Sequence, residues 1–437
     1  MRPPLSASRA WTVVVLVTLV MSVSYIDRQT LAALAPTVRD ALHISHEQYG
    51  YVLAAFSLAY LVGAPLAGAL LDRTGARKGL AFAVLAWSAV AALHAVVPSL
   101  GVLVALRILL GFAEAPSFPG AVQTVQRALP RERRSAGVGL LFTGSSLGAM
   151  IAGPLAIYAR RAFGGWRPAF LGTALIGLLW VPVWLAVTGR RSIGQALASD
   201  PPPPPDSAAP LPSRWSLLLT APVARAVLLV VFSAPVIMFG LNWWPQYLAD
   251  AHGLSQDALA AYVPLPPLFF DLGSIAFGTL ASRADRREAS HGQTSSRVVL
   301  MGVAALLGAT LSLVPLAKGP WAATFLAAVA LAGGGGIFAL LTADMIARVH
   351  PSQVSTAGGI TAAAQSIAYV IANPLVGRFV EVEHSYGMVL VALGVVVPPA
   401  MVVWGAWPMR SGKSAVDSRA WDSPSTPPAR HPSSPPP

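Results

Sequence analysis

Twelve apolar runs of roughly 18–24 residues, separated by short charged or proline-rich breaks, leave this 437-residue chain few folds to choose from. A helix rises 1.5 Å per residue, so each run is long enough to cross roughly 30 Å of hydrocarbon. The runs fall at 11–34, 49–71, 79–97, 100–120, 136–158 and 168–188, then at 223–248, 258–281, 297–317, 321–345, 356–378 and 387–408. Charged residues are 11% of the chain and hydrophobic ones 55%, where a soluble domain carries about 25% charge. Such a chain cannot clothe itself for water. The expected fold class is an all-α membrane protein of twelve transmembrane helices, with the lipid bilayer as its first partner.

The net charge of +12 could suggest nucleic acid, but the positive residues sit in short loops between apolar runs and serve topology, so no nucleic-acid partner is expected. With the N-terminus inside, most of the 30 Lys and Arg fall on the cytoplasmic side. Arg160, Arg161 and Arg167, together in one outside loop, are the main exception. Both termini are thus expected in the cytoplasm of a cell whose inner (plasma) membrane holds the chain. The absence of cysteine excludes disulfides and thiolate metal sites. No small-residue cleavage site follows the first apolar run, which is expected to stay as a helix.

The runs divide into two sets of six. Residues 1–190 are expected to form an N-terminal six-helix bundle and 223–410 a C-terminal one. Between them, 191–222 carries Pro201–Pro205 and Pro210 and reads as a hydrated cytoplasmic linker. The Ser/Pro-rich tail at 411–437 is expected to be disordered. An internal repeat supports the division. Gly68-Ala-Leu-Leu-Asp72-Arg73-Thr-Gly75-Ala-Arg77-Lys78 closes the second run, and a degenerate copy, Gly278-Thr-Leu-Ala-Ser-Arg283-Ala-Asp285-Arg286-Arg287, closes the eighth.

The first copy resembles the loop motif of the major facilitator superfamily, and the resemblance extends over nearly the whole chain. It implies the major facilitator fold, two six-helix halves related by a parallel repeat. The motif has a physical role as a gate. Asp72 can accept hydrogen bonds from the start of a facing helix, while Arg73, Arg77 and Lys78 reach cytoplasmic partners. The bland alternative is that these are topology charges only.

Four ionisable residues fall inside apolar runs of the first half: Asp27, Arg28, Arg107 and Glu114. A charge at mid-bilayer costs at least about 2.5–3.5 kcal/mol on insertion scales, so such groups face a cavity and have partners. Arg107 and Glu114 are two helical turns apart and share a face, with Gly111 between them for close helix approach. Pro116 and Pro119 bend or break the helix just beyond. The four charges sum to zero.

Arg keeps its proton and its planar fork suits a carboxylate, so Arg28 is the candidate to bind an anionic substrate. Desolvation favours a neutral Glu114 and a nearby Arg favours an ionised one, which is the poise that proton coupling requires. Asp27 is a second proton-coupling candidate, and Arg107 tunes either acid. The alternative is a buried ion-pair network that only fixes helix packing.

The stretches Tyr25-Ile-Asp27-Arg28-Gln-Thr-Leu, Gly50-Tyr-Val-Leu-Ala-Ala-Phe-Ser-Leu-Ala-Tyr60 and Arg107-Ile-Leu-Leu-Gly111-Phe-Ala-Glu114-Ala-Pro116-Ser-Phe-Pro119 resemble the anion:cation symporter branch of the superfamily. It is the branch of bacterial hexuronate, glucarate and galactonate carriers and of animal vesicular anion carriers. The resemblance implies that these four charges serve substrate binding and proton coupling, with Tyr25 and Tyr60 beside the substrate. Trp244-Pro245-Gln-Tyr247-Leu and Phe270-Asp271-Leu-Gly273 look most like the hexuronate-type members. Gln365 and Asn373 follow the branch loosely.

Other polar groups are weaker signals. Asn242, Gln246 and Tyr247 could offer hydrogen bonds to sugar hydroxyls, while Trp243 and Trp244 could equally be an interfacial belt. Asp271 is either pocket lining or a structural hydrogen bond, Asp344 is expected at the cytoplasmic rim, and His94 reads as structural. Gln365 is a pocket candidate or helix glue. Gly144, Gly148 and Gly153, with Gly333–Gly336, are small residues for close packing; the last run lacks the Lys-Ser/Thr of a phosphate loop.

The expected function is secondary active transport: proton-coupled symport of a small organic anion, a hexuronate or another sugar acid, by alternating access. No catalytic cluster appears, so no enzyme is expected, nor any cofactor or metal; the proton is the coupling ion and the carrier a monomer. The alternatives are an exporter or antiporter of a metabolite or drug on the same fold and, from another class, a membrane sensor, which would need an output domain.

Overall fold

The computed structural model describes residues 5–198, 214–291, 296–349 and 354–407. Twelve helical spans cross the molecule: Ala7–Ala33, His46–Gly68, Ala76–Val96, Leu100–Ala128, Ala136–Phe163 and Arg167–Thr188 in one half. Ala221–His252, Ala258–Ala284, Arg297–Leu316, Pro320–Met345, Ala357–Glu383 and Gly387–Ala406 make the other. They are numbered spans 1–12 below. No strand occurs among the described residues. The apolar runs and the spans coincide to within a few residues, except that span 4 runs on to Ala128, span 5 to Phe163 and span 11 to Glu383.

Each span turns one stripe inward and leaves large apolar side chains, such as Phe82, Leu66, Phe163, Ile275 and Leu306, on the outer wall. That pattern is stable only with hydrocarbon outside. The chain is a multi-pass membrane protein.

Breaks in the helices trace to proline. Span 4 divides between Glu114 and Ser117, where Pro116 cannot donate to the preceding turn, so Glu114 is the last residue of its first segment. Span 7 opens into a π-turn over Phe239–Trp243 just before Pro245, which has no N–H to offer residue 241.

With twelve spans, Ala7 and Ala406 lie at the same end of the bundle. At the opposite end, the far end, the halves are sealed together. One continuous apolar core joins Leu34, Val38, Tyr49, Leu103 and Phe170 of the first half to Trp243, Leu248, Leu259 and Tyr386 of the second. The rest of the first half keeps a separate core around Val17, Val84, Trp87 and Trp184. Polar contacts at the far end follow suit. Thr37 donates to Gln256 Oε1 at 2.8 Å, Gln256 Nε2 to the Ala33 carbonyl at 2.6 Å, and Tyr49 to the Asn242 carbonyl at 3.1 Å.

Small residues set the helix spacings. Gly144 and Gly148 bring span 5 against the backbone of Thr18 and Ser22 in span 1. In span 10, Gly333 meets the backbone of Ala304 and Gly308, Gly335 the Phe270 carbonyl, and Gly336 the Phe277 ring, while Gly273 of span 8 meets Ala332. A methyl group at Gly335 or Gly273 would overlap main-chain atoms. These glycines are packing surfaces, as their place in apolar runs suggested.

The interval 191–222, expected as a hydrated linker, begins with structure. Arg191–Ala198 is a helix that buries Ile193 and Leu197 in the first-half core, and Arg127 Nη1 donates to the Leu197 carbonyl at 2.7 Å. Arg214–Leu218 forms another short helix. The apolar residues of the interval cluster at its two edges, a pattern that its average composition hides. Pro201–Pro205, Pro210 and the tail at 411–437 lie outside the described residues.

Candidate functional site

Span 1 carries Asp27 and Arg28 as neighbours, about 100° apart on the helix, so they face different surroundings. Arg28 turns toward spans 2 and 4. Its Nη2 donates to Glu114 Oε2 at 3.0 Å, and Ser24 Oγ donates to the same oxygen at 2.8 Å. Three rings surround the guanidinium carbon, with centroids at 4.8 Å for Tyr25, 4.6 Å for Phe56 and 5.0 Å for Tyr60. Gly111 permits this cage, because it lies against the Phe56 carbonyl and Ala59 and so draws span 2 onto span 4. A guanidinium over aromatic faces gains about 0.5–2 kcal/mol per ring while its edge stays free for an anion.

Exposure separates the four charges. The Arg28 side chain is 22% exposed, whereas Asp27 is 2%, Arg107 1% and Glu114 0%. Of the four groups expected to face a cavity, only Arg28 keeps appreciable exposure. Glu114 is paired to it and fully buried, and Asp27 and Arg107 are buried without that pair. Asp27 points into the first half beside Trp87 and Thr173. No contact to either of its oxygens, to Glu114 Oε1 or to the Nε and Nη2 of Arg107 has full hydrogen-bond geometry among the described residues. Buried ionisable atoms left open in this way are costly in a purely structural network.

The second half supplies the other wall. Gln365 Nε2 donates to the Tyr369 phenol at 3.2 Å, and Tyr369 lies near both Tyr25 and Arg28. Asn242 sits on the π-turn of span 7, its carbonyl held by Tyr49 and its side chain half-exposed. Asn373, fully buried, accepts from Trp243 Nε1 at 3.0 Å and fixes span 11 to span 7.

Several expectations need correction. Gln246 is not beside Arg28: its amide donates to both oxygens of Asp250 at 3.1 and 3.0 Å, one helical turn on and at the far end. Trp243 and Trp244 are wholly buried, so they are core and not an interfacial belt. Tyr247 is also buried, within 3.3 Å of His252 Nε2. Asp344 is not rim: it is buried and accepts from Arg225 Nη2 and Arg348 Nε, each at 2.9 Å, with Arg225 stacked 4.0 Å over Trp404. Asp271 accepts from Ser146, a hydrogen bond between the halves. His94 is bonded to the Val90 carbonyl and stacked on Phe170. The side chains of Asp72 and Arg73, expected as gate residues, lie outside the described ones, as do those of Asp285–Arg287. Phe56, Ser24 and Tyr369 join the site without having been singled out, since an aromatic or a serine in an apolar run carries no signal of its own.

This arrangement can hold an anion at the caged Arg28 and exchange a proton at the carboxyl behind it. Known proteins share its framework. A family model described as Major Facilitator Superfamily matches residues 17–373. A hexuronate transporter of Escherichia coli (strain K12) is 28% identical over 410 residues, covering 90% of this chain and 93% of that one. A galacturonate transporter of Dickeya chrysanthemi is 31% identical over 277 residues, 61% of this chain and 80% of the relative. Among solved structures, a bacterial homologue of the human lysosomal transporter Spinster, inward-facing and occupied, superimposes with a TM-score of 0.72 at 17% identity, covering 91% and 94% of the two chains. That likeness concerns the fold alone.

Proposed function

The chain belongs to the Major Facilitator Superfamily and is a membrane transporter, not an enzyme; from that premise we propose that it imports a small organic anion, a hexuronate or a related sugar acid, together with protons. The observation that carries the reading is the Arg28–Glu114 pair inside its ring of aromatic side chains. The hexuronate and galacturonate names of the relatives support the substrate class. The basic loops support an orientation with both termini cytoplasmic in a bacterial inner membrane and the far end outside.

Glu114 and the substrate carboxylate compete for one guanidinium. When Glu114 takes a proton, its hold on Arg28 drops from an ion pair to a neutral hydrogen bond, and Arg28 can present its fork to the incoming anion. One proton per monoanion keeps the summed charge of the four buried groups and their ligand at zero, which limits the cost of carrying them through the bilayer. Asp27 is the candidate for a second proton, and the fixed charge of Arg107 nearby tunes its acidity. The aromatic cage packs against the apolar faces of a sugar ring, and Gln365, Tyr369 and Asn242 offer hydrogen bonds to its hydroxyls. Alternating access then moves the halves about this site.

The test is a thermal-shift screen of purified protein against hexuronates, aldonates, aldarates and short monocarboxylates. A bound anion raises the melting temperature by mass action, and the shift should vanish in Arg28→Ala. A shift that survives Arg28→Ala overturns Arg28 as the anion site, and no shift with any sugar acid overturns the substrate assignment. In liposomes, Glu114→Gln should still exchange substrate but no longer accumulate it uphill on a proton gradient; uphill accumulation by this variant would remove Glu114 from the coupling role.

A further inference from the structure

The geometry points to Asp250 as the latch of the far-end gate, a carboxylate in the second half gripped by His46 and Arg39 of the first and released when that end opens. His46 Nε2 lies 2.7 Å from Asp250 Oδ2, Tyr386 donates its phenol to the same oxygen at 2.6 Å, and Arg39 Nη1 stands 3.9 Å away. Gln246 Nε2 reaches both oxygens. Arg39 also lies 3.1 Å from each nitrogen of the His46 ring. Nε2 cannot at once donate to Asp250 and accept from Arg39. The shorter contact is to Asp250, so the ring donates there and the guanidinium rests against it.

Local sequence places the first-half donors. The short helix Ala35–Leu42 ends on His43 in the left-handed conformation (φ 52°). Ser45 then caps span 2 through a reciprocal pair: its Oγ accepts from Gln48 N at 3.2 Å and Gln48 Oε1 accepts from Ser45 N at 2.9 Å. This capping box makes His46 the first helical residue and folds Arg39 back over it. On the other side, Tyr386 immediately precedes span 12, outside it, where burial and the neighbouring Asp250 carboxylate push its phenol well above the usual range and keep it a donor.

The partition of donors distinguishes a latch from a rivet. If the halves part, Asp250 keeps Gln246 and Tyr386, both of its own half. Arg39 and His46 remain together on the first half, at a mouth where water can reach them. Neither side is left with a buried unpaired charge, so the bond can be made and broken in every cycle. At two points of the flanking seam, where Gly50 meets the Asn373 carbonyl and Gly377 the His46 carbonyl, no side chain interlocks.

The chain has no cysteine, so a single introduced thiol reports opening. Gln29→Cys, one turn below Ala33 and buried beneath the seal, is treated with a membrane-impermeant maleimide in vesicles of each orientation. The exposed Ser255→Cys shows which orientation presents the far end. From that side, Asp250→Ala and His46→Gln should each label Gln29→Cys about fivefold faster than the parent, since each removes a charge-assisted bond from the closed state only. Asp257→Asn breaks another ion pair between the halves, the exposed Arg160–Asp257 contact at 3.6 Å, and should change the rate by less than about twofold. Unchanged labelling in Asp250→Ala, or an equal rise in Asp257→Asn, overturns the latch. Should Asp250→Ala fail to reach the membrane, His46→Gln decides by the same rule. No substrate is needed, so this outcome is independent of the sugar-acid assignment.

Discussion

Each half of the protein buries an arginine beside a carboxylate, and the two pairs are finished differently. Asp344 has both oxygens taken, by Arg225 and by Arg348, and Arg225 stacks on Trp404. Glu114 has one oxygen taken and one open, and Asp27 beside it has neither held in full hydrogen-bond geometry. The first pattern belongs to a joint: it ties spans 7 and 10 and has nothing left to bind. The second leaves capacity for a ligand and a proton in mid-bilayer. Completeness of pairing, more than burial, tells the structural charge from the working one.

The sharpest way to break this contrast is to neutralise one acid from each pair and measure unfolding in detergent. Asp344→Asn strands Arg225 and should cost about 3–5 kcal/mol. Asp27→Asn keeps an oxygen toward Trp87 and Thr173 and breaks no direct ion pair, so its change should be smaller, about 1 kcal/mol and of either sign. Equal losses would mean that Asp27 is a joint too. Next in size is Arg28→Lys, which keeps the charge and loses the fork, and should weaken sugar-acid binding about tenfold or more by calorimetry. An unchanged affinity would reduce Arg28 to a point charge. Smallest is Phe56→Leu, which removes one ring of the cage; a loss of about threefold to tenfold is expected, and a null result would leave the cage as packing around the pair.

The membrane spans were legible because length and composition alone decide whether a helix can sit in lipid. The four first-half charges were legible for the same reason: in an apolar run a charge stands out. Arg225 and Asp344 escaped because they lie near span ends, where a charge is ordinary, and only the packing of span 12 over them makes them buried. The far-end cluster escaped more thoroughly. Arg39, His46, Asp250 and Tyr386 are spread over most of the chain, each beside a loop, and nothing local marks them as neighbours. Gln246 was drawn to the wrong site because its place in an apolar run says that it needs a partner but not which one. Trp243 and Trp244 could not be told from a belt until the π-turn fixed their direction.

The glycine contacts of spans 8, 9 and 10 carry a mechanical consequence. Where main chain rests on main chain there is no side-chain cushion to compress, so one of these helices cannot slide past another without a collision. Any swing of the second half must carry the three as a single plate, and the bending has to be taken up at its borders, where the π-turn before Pro245 offers a softer stretch of helix.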